Sequence, residues 1–378
     1  RVPLKDTSLI VGSPSLSNVE TIRMFVTGVN DMVHFRLAEF NLVGSQWQKV
    51  IPEDTVLAIS TISFEDNPNY TIPPGISRER DRTRPDENIL ANEQSLNLIL
   101  TNLEDGQKRE GVKYLFKPLD VFNYSEMKLF IHGDMNTAPG SVSSTDSLNY
   151  SSEVYFRFGG DTNNYYEYRQ PVRPDWNEIS IKFSQLTAIK QARGDSINFI
   201  YSVPVDGKIG HFYSVKGNPS LTSVKFLTVG IFNTNNPNNT GNVSGEVWVN
   251  ELRVIGADDS PGWAYSFNTG IKFADLLSVN ANISQTNPYF HKLADRFGSR
   301  VEQKNWGVAT ELNILKLLPI SLPESNLKLN YSHNESLGKP LFIPGTDVRV
   351  DEAAKRLQES QGDTTLLTTK KPEDLISE

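Results

Sequence analysis

The 378-residue sequence contains no cysteine. Disulfides and thiolate metal sites are therefore excluded. No apolar run approaches the ~18 residues of a membrane helix, so any membrane crossing would have to be made by strands. Positive charge is in deficit, since 37 Lys and Arg face 45 Asp and Glu for a net charge of -8. That balance disfavours nucleic acid as a partner, which requires a basic surface. Histidine is scarce, and His34, His132, His211, His291 and His333 stand isolated. None forms an HxH or HExxH spacing, so they read as structural or exposed side chains; no metal and no cofactor is expected. Gly-x-Ser-x-Gly elbows, P-loops and dinucleotide-binding glycine patterns are missing too, and no catalytic residue is assigned. The chain opens at Arg1 with no basic n-region and no apolar h-region. It is expected to be an internal fragment of a longer protein.

What the chain does have is 10% aromatic residues, 25 glycines, 21 prolines and abundant Asn, Ser and Thr. This is the composition of an all-β protein with long loops. An internal repeat organises much of it. Gly12–Val19 (Gly-Ser-Pro-Ser-Leu-Ser-Asn-Val) matches Gly217–Val224 (Gly-Asn-Pro-Ser-Leu-Thr-Ser-Val). Each is followed by an apolar strand, Ile22–Thr27 and Lys225–Phe232, and by a closing strand, Phe35–Gly44 and Val247–Gly256. One structural unit used twice makes 1–46 the end of a first jelly-roll-like repeat and 47–257 a complete jelly-roll-like domain.

Strand candidates in that domain are Thr55–Ile62, Ser95–Thr101, Glu126–His132, Glu153–Phe158, Tyr165–Gln170, Glu178–Phe183, Lys208–Val215, Val224–Phe232 and Val247–Val254. About nine strands suggest a two-sheet jelly roll. Broken alternation at Asn250-Glu251 predicts a β-bulge.

Residues 258–334 carry the most telling pattern. From Tyr265 to Phe273 the odd positions are Tyr, Phe, Thr, Ile and Phe, and the even ones Ser266, Asn268, Gly270 and Lys272. After Ala274–Leu276 the alternation resumes with Leu277, Val279, Ala281 and Ile283 against Ser278, Asn280, Asn282 and Ser284. Trp306–Ile314 and Asn326–Ser332 repeat it, separated by expected loops at Gln285–Asn305 and Leu315–Ser325. A period of two places one set on each face of a strand. Strands of about ten residues, apolar on one side, are those of a transmembrane barrel. A soluble antiparallel sheet with one wet face gives the same alternation. Four strands cannot close a barrel, so on the first reading these belong to an incomplete one. Residues 335–378 read as a loop, a short helix at Asp351–Glu359 and a tail.

Two polar clusters stand out. Arg78, Arg80, Arg82 and Arg84 are interleaved with Glu79, Asp81, Asp86 and Glu87, which nearly cancel them, so a self-paired solvated loop is expected. Arg157, Asp161, Glu167 and Arg169 could pair across two neighbouring strands. The pattern fits a tight hairpin turning at Gly159–Asp161 with cross-strand pairs. It also admits a sugar platform of Tyr165, Tyr166 and Tyr168, or a glycosidase carboxylate pair. Adjacent Tyr165 and Tyr166 face opposite sides, so at least one packs in the core.

Asn41–Trp47, Pro73–Glu79, Asn92–Leu96, Asn164–Tyr168 and Trp248–Val254 resemble the SprA/Sov family, giant outer-membrane translocons of type IX secretion and gliding motility. Ala274-Asp275, Asn305–Val308 and Pro340–Asp347 are similar too, so the likeness runs in order along nearly the whole chain; Gln361–Glu378 adds nothing. The resemblance implies a very large single-chain barrel that passes folded cargo proteins across the outer membrane. It further implies a PorV-like shuttle at a lateral opening, a periplasmic plug protein, contact with outer-membrane lipid, and no catalytic residues. This chain is far shorter than such a translocon and would be a piece of one, with its jelly rolls in the periplasm or at the cell surface. The alternatives are a secreted carbohydrate-binding jelly-roll module and a glycoside hydrolase.

Overall fold

A computed structural model describes residues 47–361 apart from 66, 81–88, 134–149, 195, 238–240, 296, 320–323 and 344–345, with a few positions between 23 and 34. The chain divides into two units, Arg1–Gly44 and Ser45–Glu378. The expected first repeat falls almost wholly outside the described residues, including Gly12–Val19 and Phe35–Gly44. So do Arg82, Arg84 and the tail beyond Gln361.

The second unit begins β1 (Gln48–Lys49), β2 (Leu57–Ser63), β3 (Gln94–Leu103), β4 (Lys108–Leu119), β5 (Tyr124–Gly133) and β6 (Ser152–Asp161). It continues β7 (Asn164–Pro171), β8 (Asp175–Lys182), α1 (Phe183–Arg193), β9 (Tyr201–Pro204), β10 (Phe212–Lys216), β11 (Val224–Asn233) and β12 (Val243–Ala257). It ends β13 (Ala264–Phe273), β14 (Leu277–Thr286), β15 (Val301–Asn313), β16 (Lys328–Pro340) and α2 (Val350–Gln361).

Two antiparallel sheets make a jelly-roll-like sandwich: seven strands in the order β1-β4-β11-β6-β7-β10-β9 and five in the order β2-β3-β12-β5-β8. Alternation decides what lies between them. Met127, Leu129 and Ile131 of β5 point inward, as do Val154, Phe156 and Phe158 of β6 and Ile179 and Ile181 of β8; all are buried in one continuous core. The expected bulge is present, because the β12–β5 register slips between Asn250 and Arg253 and Glu251 takes φ 51°.

Three strands and one helix were not legible. β1 and β9 are too short to show a period. In β4 the charges of Lys108, Arg109, Glu110, Lys113 and Lys117 obscure the apolar positions, yet β11 pairs with it along most of its length. α1 shows only Phe183, Leu186 and Ile189 as buried apolar residues, a thin stripe that burial against the sandwich makes sufficient.

A third sheet of four strands, β13-β14-β15-β16, follows as a plain antiparallel meander. β15 and β16 are longer than their alternation suggested: Val301–Asn305 and His333–Pro340 continue the pairing. Ladder bonds use the backbone, so pairing outlasts the apolar pattern. The expected loop at Gln285–Asn305 shortens accordingly. No helix among the described residues is long and apolar enough to cross a membrane.

Candidate functional site

The four-stranded sheet keeps the two faces that its sequence encodes. Register sets Phe267 opposite Ile283, Ile283 opposite Trp306 and Trp306 opposite Glu335, which accepts from the Trp306 indole at 2.9 Å; on the other face Asn268, Asn282, Gly307 and Asn334 form one rung. Gly307 is needed there, because a Cβ would run into the side-chain oxygens of Asn282 and Asn334. Below lie Ile271, Val279, Thr310 and Tyr331 on the first face, and Gly270, Asn280, Ala309 and Ser332 on the second. An ion pair from Lys328 to Glu311 crosses the polar side.

The apolar side is bare. Phe267 is 60% exposed and Phe273 57%, with Tyr265, Ile271, Leu329 and Tyr331 similarly open. A soluble sheet with one wet face buries its dry one against another layer. Among the described residues no layer covers this one. From Tyr265 to Phe273 the apolar row extends about 27 Å at ~3.4 Å per residue, comparable with the ~25 Å apolar band of outer-membrane barrels. Among the described residues the sheet is open, not closed: β13 and β16 each have one neighbour there.

One end of the sheet is tied to the sandwich. Arg300 pairs with Asp120 at 2.7 Å and lies over the Phe122 ring. Arg349, after β16, donates to the Tyr289 hydroxyl of the β14–β15 loop at 2.6 Å and pairs with Asp258, just past β12, at 3.4 Å. The strongest tie is Asp347, in the loop after β16, whose side chain is wholly buried. It accepts from Lys190 Nζ at 2.7 Å, from the Tyr166 hydroxyl at 2.7 Å and from the Leu221 amide at 3.0 Å. Burial first, and the charge of Asp347 second, hold the Tyr166 phenol far above its ordinary value. Sequence reasoning missed this site. Lys190 lies on the unrecognised α1, 157 residues from its partner, and the only signal was that Asp347 ends a family-like stretch.

The predicted arginine–carboxylate cluster forms a clamp on the outer face of the seven-stranded sheet. Glu167 is fully buried between Arg157 at 2.5 Å and Arg169 at 2.9 Å. Arg157 also reaches Glu110 at 2.8 Å and stacks on Tyr155 and Tyr165. Tyr155 donates to Glu110 at 2.8 Å, its ring lying over Gly230, where any Cβ would collide with it. Burial lifts the Glu153 carboxyl above its ordinary range against the pull of Arg169. Asp161 is not part of the clamp. It caps the hairpin, accepting from the Asn163 amide at 2.8 Å.

Of the sugar-platform tyrosines, Tyr166 and Tyr168 are in the core and Tyr165 is covered. Glu167 meets arginine on both oxygens, a geometry that holds a hairpin and offers no free acid. In the arginine loop, Arg78 donates to the Ala91 and Leu90 carbonyls and to Glu65.

The histidines remain scattered: His132 stacks on Trp248, His291 contacts the Tyr289 carbonyl and His333 packs on Trp306. No cluster of His, Asp and Glu suited to a metal occurs among the described residues. His211 is buried and hydrogen-bonded to the Tyr168 hydroxyl at 2.7 Å. Burial first, then Lys208 and Arg173, push its pKa down to about 4. The unfolded chain therefore takes up a proton near pH 6.5 that the folded one refuses until about pH 4. Stability should fall as pH drops through this window, and a urea titration of His211→Gln should lose that part of the slope.

A family model described as motility related/secretion protein, SprA_N, matches residues 1–353. The chain belongs to this family. The resemblance that the sequence motifs carried is thereby borne out. Comparison with curated protein sequences gives no match. Among solved structures, this SprA_N-family chain is similar to a family 11 carbohydrate-binding module of cellulase Lic26A-Cel5E of Clostridium thermocellum. Identity is 12%, coverage 57% of this chain and 89% of that one, and TM-score 0.29. The Clostridium thermocellum module in complex with a β-1,3-1,4-mixed-linked tetrasaccharide gives 14%, 56% and 96%, and TM-score 0.27. An exo-β-agarase gives 12%, 57% and 24%, and TM-score 0.34. Likeness this distant transfers no ligand and no activity to the SprA_N-family chain.

Proposed function

We propose that this chain is a non-catalytic part of an outer-membrane secretion translocon of the type IX system that serves gliding motility. The four-stranded sheet contributes wall strands to a transmembrane barrel, with Phe267, Val279 and Trp306 toward lipid and Asn268, Asn280 and Gly307 toward the channel. The sandwich stands at one mouth, braced to the strands through Asp347 and Arg300. Folded cargo proteins pass along the polar side; a PorV-like shuttle and a periplasmic plug protein are the accompanying partners. The observation that carries this reading is a bare apolar face backed by a face of Asn, Ser, Gly and Ala. Membership of a motility and secretion family supports it.

The test is a pair of substitutions one residue apart. Phe267→Arg sets a charge in the hydrocarbon and is expected to cost roughly 2–4 kcal/mol of membrane folding energy at mid-depth. Asn268→Arg points into water and should change little. Folding titrations of the whole protein into bilayers measure both, and equal small effects would refute the assignment of faces.

A further inference from the structure

The sandwich has two distinguishable ends. At one, a chain of backbone and side-chain bonds joins neighbouring loops: Gly217 N–H to the Ile197 carbonyl, Asn218 N–H to Asn164 Oδ1, Val121 N–H to the Leu221 carbonyl and Asp258 N–H to the Asn123 carbonyl. This is the end from which β12 runs on toward β13 and to which Arg300 and Asp347 tie the sheet. The other end carries the Asp105–Gly106 turn and the β9–β10 hairpin tip with Ile209.

Exposed rings are unevenly divided between them. Among the described residues of the sandwich, Phe64, Tyr114, Phe116, Phe199 and Tyr201 are exposed, and all lie in the half nearer the two-faced sheet. Phe116 is extreme at 98%. It sits where β4 slips its register: Tyr114 pairs with Phe226 but Leu119 with Val224, so the residues between bulge out of the sheet. Phe199 is 75% exposed in the segment between α1 and β9, with Ile197 and Ile200 beside it also exposed. Lys113 and Lys117 flank Tyr114 and Phe116, in a chain whose net charge is -8. Rings beside lysines, at the end of a domain that abuts a lipid-width apolar belt, match an interfacial surface in both shape and charge.

The geometry points to a second lipid contact: this end of the sandwich rests on the bilayer, Phe116 and Phe199 entering the headgroup layer and Lys113 and Lys117 meeting its phosphates. The inference rests on the two-faced sheet spanning the membrane. It makes the sandwich a membrane-seated collar, with its tilt set by three anchors: the Asp347 tie, the β4 bulge and the segment after α1.

Site-directed spin labelling tests it; these 378 residues carry no cysteine, and any elsewhere in the whole protein is replaced by serine. Phe116→Cys and Phe199→Cys carry a nitroxide in the whole protein, reconstituted into vesicles of phosphatidylethanolamine and phosphatidylglycerol. Phe267→Cys serves as the lipid reference and Ile209→Cys as the water reference. The ratio of relaxation by oxygen to relaxation by a water-soluble nickel chelate should rise severalfold at 116 and 199 over 209. Ratios at 116 and 199 equal to that at 209, with 267 lipid-like, would overturn this inference alone. Labels at 116 and 199 shielded from both relaxants would also overturn it, since a protein would then cover them. If 267 too reads as water, the membrane assignment of the sheet fails, and the collar with it.

Discussion

Glu167→Ala should destabilise the sandwich by about 3–5 kcal/mol, the usual consequence of removing one partner from a buried ion pair. The carboxylate is fully buried and both its oxygens are engaged. Alanine would leave Arg157, itself nearly buried, with Glu110 as its remaining anion, and Arg169 with Glu153 at 3.4 Å. Two guanidinium groups would then sit close together without the charge that separates them. Glu167→Gln retains the shape and one acceptor and should lose less. Urea unfolding with tryptophan emission reads both, and a midpoint unchanged in the alanine variant would show that the clamp holds nothing. A sugar-binding or hydrolytic use of the same residues predicts the reverse, a loss of activity with stability intact.

Asp347→Ala is expected to be as costly, also about 3–5 kcal/mol, but its effect should be local. Three donors lose their acceptor together: the Lys190 ammonium, the Tyr166 hydroxyl and the Leu221 amide. Among the described residues Lys190 then keeps the Pro219 carbonyl, at 2.6 Å. Hydrogen exchange should therefore quicken in the segment around Val348–Ala353 and in α1, while the β13–β16 ladders stay protected. Uniform protection in the variant would show that the tie is ornamental. The double change Lys190→Met with Asp347→Leu should recover much of the loss, because a buried pair can be exchanged for apolar packing at little cost. Recovered stability need not bring back the contacts of Asp347 with Tyr166 and the Leu221 amide, which leucine cannot make.

How much could be seen beforehand differs from element to element. The row Phe267, Ile271, Phe273 against Asn268, Gly270, Lys272 was legible because alternation is a local property of an extended chain. The pairing of Val301–Asn305 with Ser336–Pro340 was not, since those residues pair through backbone atoms that every sequence shares. The hairpin of β6 and β7 was legible with its charge pairs; Asp161 fitted both the cross-strand pairs and the turn at Gly159–Asp161, because side-chain pairing and turn capping suit the same residue type, and the structure gives it to the turn. α1 escaped notice because few of its residues are apolar, and its helix is completed by what it packs on.

The amino-acid sequence alone determined that this is an all-β chain without thiol chemistry, with a repeated stretch of sequence, four two-faced strands and the motifs of a secretion family. All of these are short-range: composition, a period of two, and matched stretches of a few residues. Only the tertiary structure decided that Asp347 meets Lys190, that Glu167 lies between two arginines, and that no described layer covers the apolar side of the last sheet. The reason is physical. A charge is buried, or a greasy face left bare, according to what the folded chain brings up against it from far away in sequence, and no local pattern encodes that neighbour.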